Sequence, residues 1–196
     1  MSIPRREKNK AMGSGKILFI DRDGVLNQDY VGDYVKRWED FIFLPGVLAS
    51  LARLKKAGFS TVLISNQAGI GDGVYKKEQL DDITARMLEK IKKAGGEIAD
   101  YYYCLHGKEA GCDCRKPKPG LFKQAQGRWH FEPSKTFYIG DKLSDIQAGR
   151  SFGMRTIMVM TGYGRTHIKE TTPDTAPEFS CADFNEAVEI VLKETV

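Results

Sequence analysis

The run Lys16-Ile17-Leu18-Phe19-Ile20-Asp21-Arg22-Asp23-Gly24-Val25-Leu26-Asn27 constrains this chain more than any other segment. An apolar, β-prone stretch stops abruptly at two carboxylates one residue apart, with glycine next. Strands buried on both faces of a parallel sheet read this way, and open α/β sheets place their ligands just past the carboxyl ends of such strands. Residues i and i+2 of an extended segment point to one side, so Asp21 and Asp23 are predicted to face one pocket. One would serve there as nucleophile or metal ligand and the other as acid/base. The competing explanation is a solvated Asp-Arg-Asp-Gly turn, because strand ends favour Asp and Gly in any case.

The rest of the chain alternates strand and helix patterns. Pro45 opens a helix in which Val47, Leu48, Leu51 and Leu54 recur on one face until Gly58. Thr61 to Ser65 reads as a buried strand that enters the glycine-punctuated loop Asn66 to Gly73. A helix from about Lys76 to Ala94 carries the core stripe Leu80, Ile83, Met87 and Ile91, and Gly95-Gly96 stops it. Further strands are predicted at Ala99–Cys104, Thr136–Ile139 and Thr156–Met160, with helices at Pro119–Trp129, Leu143–Phe152 and around Phe184, Val188 and Val191. This alternation predicts an α/β fold with a doubly wound, mostly parallel sheet.

The chain has 196 residues, enough for one domain with a full core. Hydrophobic residues at 41% and charged residues at 29% exclude a disordered chain. A net charge of +4 suits an anionic small molecule and is too weak to argue for nucleic acid. No apolar stretch has membrane-spanning length, and the start lacks the apolar core of a secretory signal, so a cytoplasmic protein is expected. Residues 1–15, with Arg5, Arg6, Lys8 and Lys10, are expected to form a disordered basic tail ahead of a single domain over 16–196.

Chemistry-bearing residues follow each predicted strand. Asp21 and Asp23 follow the first, Ser65 and Asn66 close the second, and Gly140-Asp141-Lys142 with Asp145 follow the fourth. Lys116 lies in Arg115-Lys116-Pro117-Lys118-Pro119-Gly120, ahead of a helix. In a parallel sheet these ends share one edge, so a carboxylate pair, a hydroxyl, a lysine and further acids converge. Phosphoryl transfer needs such a set. A carboxylate attacks phosphorus once a divalent cation screens the two anions, and a lysine and a hydroxyl position the equatorial oxygens.

Cys104-x-His106-x5-Cys112-x-Cys114 places three thiols and one imidazole within eleven residues. Four ligands of these types suit a tetrahedral zinc site, the alternative being a loop of ordinary reduced cysteines. With all four positions supplied by protein, the zinc would be structural. Cys181 stands apart as a buried thiol. His130, His167 and Trp38 carry no partner motif and are assigned to surface or packing, His167 near the pocket mouth and Trp38 with substrate contact as its alternative.

These motifs, in this order over about Lys16 to Gly164, resemble those of the haloacid-dehalogenase superfamily phosphatases. Within it, Asp-Arg-Asp-Gly-x-x-Asn, Ser65-Asn66-Gln67-Ala68-Gly69-Ile70, Cys112-Asp113-Cys114-Arg115-Lys116-Pro117 and Gly140-Asp141-Lys142 resemble the D-glycero-D-manno-heptose-1,7-bisphosphate 7-phosphatases. Histidinol-phosphate phosphatases share most of the pattern and supply the alternative substrate. A zinc-stabilised binding module without catalysis is the alternative from another class. The resemblance implies a superfamily fold with a minimal cap and a zinc-binding loop at 104–114, acting on a small phosphorylated molecule; the short inserts favour a monomer, and the mild charge and lack of an apolar span leave no nucleic-acid or membrane partner expected. It implies Asp21 as the nucleophile, Asp23 as acid then base, and Ser65 and Lys116 as stabilisers of the transferring phosphoryl group. It implies Mg²⁺ on Asp21, the Asp23 carbonyl and Asp141, with Asp145 supporting that shell or capping a helix. It implies zinc on Cys104, His106, Cys112 and Cys114. Asn66, Gln67, Arg115 and Lys142 would line the substrate side. The resembled loop often reads Gly-Ile-x-Arg-Gly, whereas residues 69–73 set the acid Asp72 in the basic position, beside the pocket for a second phosphate.

Overall fold

The computed structural model describes residues 15–30 and 32–195. The predicted basic tail, Gly15 apart, lies outside the described residues. The elements in chain order are β1 (Lys16–Ile20), α1 (Val47–Lys56), β2 (Phe59–Asn66), α2 (Ala68–Gly71), α3 (Lys77–Lys93), β3 (Asp100–Cys104), α4 (Gly120–Gln126), β4 (Phe137–Gly140), α5 (Leu143–Ser151), β5 (Arg155–Val159), α6 (Gly164–His167), β6 (Phe179–Cys181) and α7 (Phe184–Glu194).

The strands form one sheet in the order β3-β2-β1-β4-β5-β6, every pair parallel. The chain winds outward from β1 to β3, then returns to the other side of β1 with β4. The order therefore reverses between β1 and β4, where open α/β sheets leave a crevice at the carboxyl ends. Register aims the site residues at it. Ile20 stands beside Leu63 on one side and Ile139 on the other, and the Asp21 N–H donates to the Ile139 carbonyl at 2.9 Å.

Side-chain alternation along the strands explains the layers. Leu18, Ile20, Leu63 and Ile139 face one side, packed in one cluster with Leu51 and Leu54 of α1, Ile83, Met87 and Ile91 of α3, and Val188 and Val191 of α7. Ile17, Phe19, Val62, Ile64 and Tyr138 face the other, with Leu121, Phe122 and Ala125 of α4 and Ala148 of α5. No described helix is long and apolar enough to cross a membrane.

Four elements differ from the sequence reading, one of them the short helix α6, which has no counterpart there. Residues 68–71, read as loop, close one helical turn. The α4 helix stops at Gln126, three residues before Trp129. The β6 strand was not anticipated, being three residues long and only half buried at Phe179 and Cys181. Arg155 helps to hold it, stacking 4.2 Å over Phe137 and 5.6 Å over Phe179 while pairing Glu178 and Glu194. Between β1 and α1 the one helical turn among the described residues is the 3₁₀ turn Trp38–Asp40, in which Trp38 stacks on Phe41 at 5.3 Å. Trp38 thus packs locally.

Candidate active site

Lys116 sits at the centre of the crevice. It is 3% exposed, and its Nζ lies 3.0 Å from Asp21 Oδ1 and 2.7 Å from Asp145 Oδ1. The same ammonium donates to the Ile64 carbonyl at 3.0 Å and to the Tyr138 hydroxyl at 2.8 Å. Burial opposes its charge, but Asp145 and Asp21 outweigh burial and raise its pKa. Burial dominates at Asp21, lifting that carboxyl to about 6 against the pull of Lys116. Asp141 is fully buried and pushed well above the carboxylate range, by burial first and then by repulsion from Asp145 and Asp21, against the pull of Lys142.

Asp21, Asp141 and Asp145 each bring an oxygen within 4.8 Å of the others. The space around Asp141 is fully used. A Cβ on Gly24, whose φ is +83°, would stand 2.2 Å from Asp141 Oδ2, which accepts the Tyr163 N–H at 2.8 Å. Asp141 Oδ1 is buried without a partner. Three buried acids, with Asp21 Oδ1 and Asp141 Oδ1 without hydrogen-bond partners, make a hard-oxygen donor set that fits a divalent cation such as Mg²⁺. Asp145 also caps α5, its Oδ2 accepting the Lys142 N–H at 3.0 Å.

Asp23 occupies a different environment. Extended geometry ends with β1 at Ile20, and from Arg22 the chain turns, with the Leu26 N–H on the Arg22 carbonyl at 2.8 Å. Burial pushes Asp23 up, but the Arg22 guanidinium and the Asn27 amide prevail and hold it below its ordinary range. Asn27 Nδ2 donates to Asp23 Oδ1 at 3.0 Å, and Gln67 Nε2 donates to Asp23 Oδ2 at 3.0 Å and to Ser65 Oγ at 3.1 Å. Ser65 is thereby linked to Asp23.

The four residues assigned to the substrate side separate. Gln67 is 1% exposed, and its carboxamide is taken up by Asp23, Ser65, Arg22 and Tyr75. Asn66 clamps the backbone of Lys116. Lys142 pairs with Asp29 at 2.7 Å and lies 4.8 Å over the Tyr163 ring. Arg115, half-buried, has no ion-pair partner among the described residues, and its Nη1 is buried without a hydrogen bond. Asp72 is exposed, and its Oδ1 accepts the Lys108 N–H of the cysteine-rich loop at 3.1 Å. His130 is exposed, and His167 accepts the Leu143 N–H at the start of α5 at 3.3 Å. Cys181, read as buried, is half-exposed.

Arg22, Asp29 and Tyr138 escaped the sequence reading. Strand alternation pointed Arg22 away from the acids, and nothing local marked Asp29 or Tyr138 as partners of Lys142 and Lys116.

The four predicted zinc ligands meet. Cys114 Sγ lies 3.1 Å from His106 Nδ1, 3.2 Å from Cys104 Sγ and 3.5 Å from Cys112 Sγ, and Cys104 lies 3.6 Å from Cys112 and 3.7 Å from His106. Zn–S bonds of about 2.3 Å in a tetrahedron put ligand atoms about 3.7 Å apart, so the cluster fits zinc with slight expansion. Burial and the neighbouring sulfurs push the Cys114 thiol up to about 12, so without a cation it stays protonated.

Comparison with known proteins agrees with this geometry. A family model described as HAD-hydrolase-like matches residues 113–187. The D-glycero-beta-D-manno-heptose-1,7-bisphosphate 7-phosphatase of Pseudomonas aeruginosa is 36% identical over 161 residues, 82% of this chain and 90% of the relative. The crystal structure of D,D-heptose 1,7-bisphosphate phosphatase from B. bronchiseptica, complexed with magnesium and phosphate, matches with TM-score 0.86 at 34% identity, covering 91% of this chain and 99% of that one. The enzyme of the same name from Burkholderia thailandensis matches with TM-score 0.70 at 28% identity, covering 90% and 98%.

Proposed function

We propose, for a chain that belongs to the HAD-type phosphatases and among them to the heptose-1,7-bisphosphate 7-phosphatase family, that it removes the 7-phosphate of D-glycero-D-manno-heptose 1,7-bisphosphate through Asp21. The observation that carries the chemistry is Lys116 bridging Asp21 and Asp145 at the β1/β4 crevice. A buried carboxylate fixed beside an ammonium is positioned to attack, and the ammonium neutralises charge gathering on the phosphoryl oxygens.

An Asp21 oxygen bonds to phosphorus as the bond to the sugar oxygen breaks, and Asp23 gives that oxygen its proton. Water then attacks the aspartyl-phosphate, passing a proton to Asp23. The phosphorus–Asp21 bond breaks, and phosphate and the free carboxylate are restored. Asp23 is ionised at rest, so it takes up its proton as the anionic phosphate arrives and raises its pKa. Ser65 steadies the phosphoryl group beside Lys116. Asp21, the Asp23 carbonyl and Asp141 would hold Mg²⁺, whose charge screens the two anions. Zinc on Cys104, His106, Cys112 and Cys114 would fix the loop that carries Arg115.

Arg115 supports a bisphosphate substrate. Among the described residues its guanidinium is not engaged with a carboxylate, so it can take the distal phosphate bidentately, whereas Lys142 is already paired with Asp29. The test is kcat/KM for heptose 1,7-bisphosphate and histidinol phosphate side by side. A preference for the heptose of about a hundredfold or more supports the assignment. Equal or reversed preference overturns it.

A further inference from the structure

We propose that Arg22 is a positioning residue that, with Gln67 and Tyr75, fixes the Asp23 carboxylate for proton transfer and affects turnover through Asp23. This rests on the reading of Asp23 as acid/base given above. Neighbouring residues of a strand point apart, but the turn begins at Arg22 and brings its side chain back onto the next residue. Arg22 Nη2 stands 2.9 Å from Asp23 Oδ1 and 3.0 Å from Oδ2, with Nε 3.2 Å from Oδ1.

The same Nη2 reaches Gln67 Oε1 at 3.2 Å, and Oε1 also accepts the Tyr75 hydroxyl at 2.6 Å. Gln67 is thereby oriented with its oxygen toward Arg22 and Tyr75 and its nitrogen toward Asp23 and Ser65. Each member is buried, Arg22 and Gln67 at 1% exposure and Tyr75 at 4%. Among the described residues, no hydrogen bond or ion pair joins Arg22 to Asp21, Lys116, Asp141 or Asp145.

A buried ion pair is a poor source of net stability, because desolvation offsets much of its attraction. What this one supplies is geometry. Arg22 and Gln67 grip the carboxylate on both oxygens, and Asn27 adds a further donor to Oδ1. Proton transfer depends steeply on such placement, a displacement of about 1 Å costing up to about a hundredfold in rate.

The test is a double-mutant cycle with heptose 1,7-bisphosphate, or with p-nitrophenyl phosphate if the sugar is not turned over. Arg22→Met should lower kcat about tenfold or more with KM changed less than about twofold, and Arg22→Lys should recover part of the loss. Tyr75→Phe, a milder change that keeps the ring in place, should lower kcat a few-fold. Both effects should vanish when added to Asp23→Asn, because the group they position is gone. If Arg22→Met does not fold, Tyr75→Phe carries the cycle alone. Losses that persist undiminished on the Asp23→Asn background, or that fall on KM alone, overturn the inference. Full turnover by Asp23→Asn itself would instead remove the acid/base reading beneath it.

Discussion

The Asn66 carboxamide closes a two-point clamp on the backbone of Lys116. Its Oδ1 accepts the Lys116 N–H at 3.1 Å and its Nδ2 donates to the Lys116 carbonyl at 3.1 Å. A residue at the end of β2 thus sets a lysine fifty positions later in the chain, and the Lys116 side chain reaches back to the Ile64 carbonyl of the same strand at 3.0 Å. The loop that delivers the site's ammonium is held at both its main chain and its tip.

Asn66→Ala removes both clamp bonds and leaves a backbone N–H and carbonyl short of partners. The expected cost is about 1–3 kcal/mol of stability, with kcat reduced about tenfold. Urea unfolding and steady-state kinetics check it. An unchanged kcat would mean that the lysine holds its place without the clamp.

Metal-free protein should lose stability as pH rises. Burial lifts the folded-state pKa of Asp21 from 3.8 to about 6, so its favourable contribution is complete below about 4 and lost as pH passes through about 6. Asp141, also raised by burial, adds to the loss as pH rises. Mg²⁺ needs the ionised acids, so its apparent affinity should weaken by roughly tenfold or more per pH unit below 6. Thermal melts with and without Mg²⁺ at pH 5, 6 and 7.5 should show a gain that grows with pH.

Protein purified without chelator should carry stoichiometric zinc, and chelation should lower its melting temperature. Cys112→Ser should lose the metal. Asp72→Ala keeps all four ligands but frees the Lys108 N–H, so it should release zinc to a chelator several-fold faster than the parent. Metal analysis and a chromogenic chelator read both effects.

The sheet was legible because strands buried on both faces are written as apolar runs, and because Asp21, Ser65 and Asp141 each stop such a run. The edge strand β6 was not, since Phe179 to Cys181 is short, and what pins it is Arg155 from β5 with Glu178 and Glu194. The convergence of the Cys/His cluster was legible from spacing, its four members lying within eleven residues from the end of β3 onward. The inward roles of Asn66 and Gln67 were not, for their partners lie 50 and 44 residues away in sequence. Asp72 shows the same limit. The charge at its position was readable, but the backbone amide it accepts from belongs to another loop.

The most direct test of the account is Asp21→Asn. It keeps the shape of the side chain and removes the charged oxygen proposed to attack phosphorus. Turnover should fall by about a thousandfold or more, with folding intact and no acid-stable phosphoryl group on the variant. Turnover within tenfold of the parent, or a phosphoryl group trapped on another residue, would contradict it.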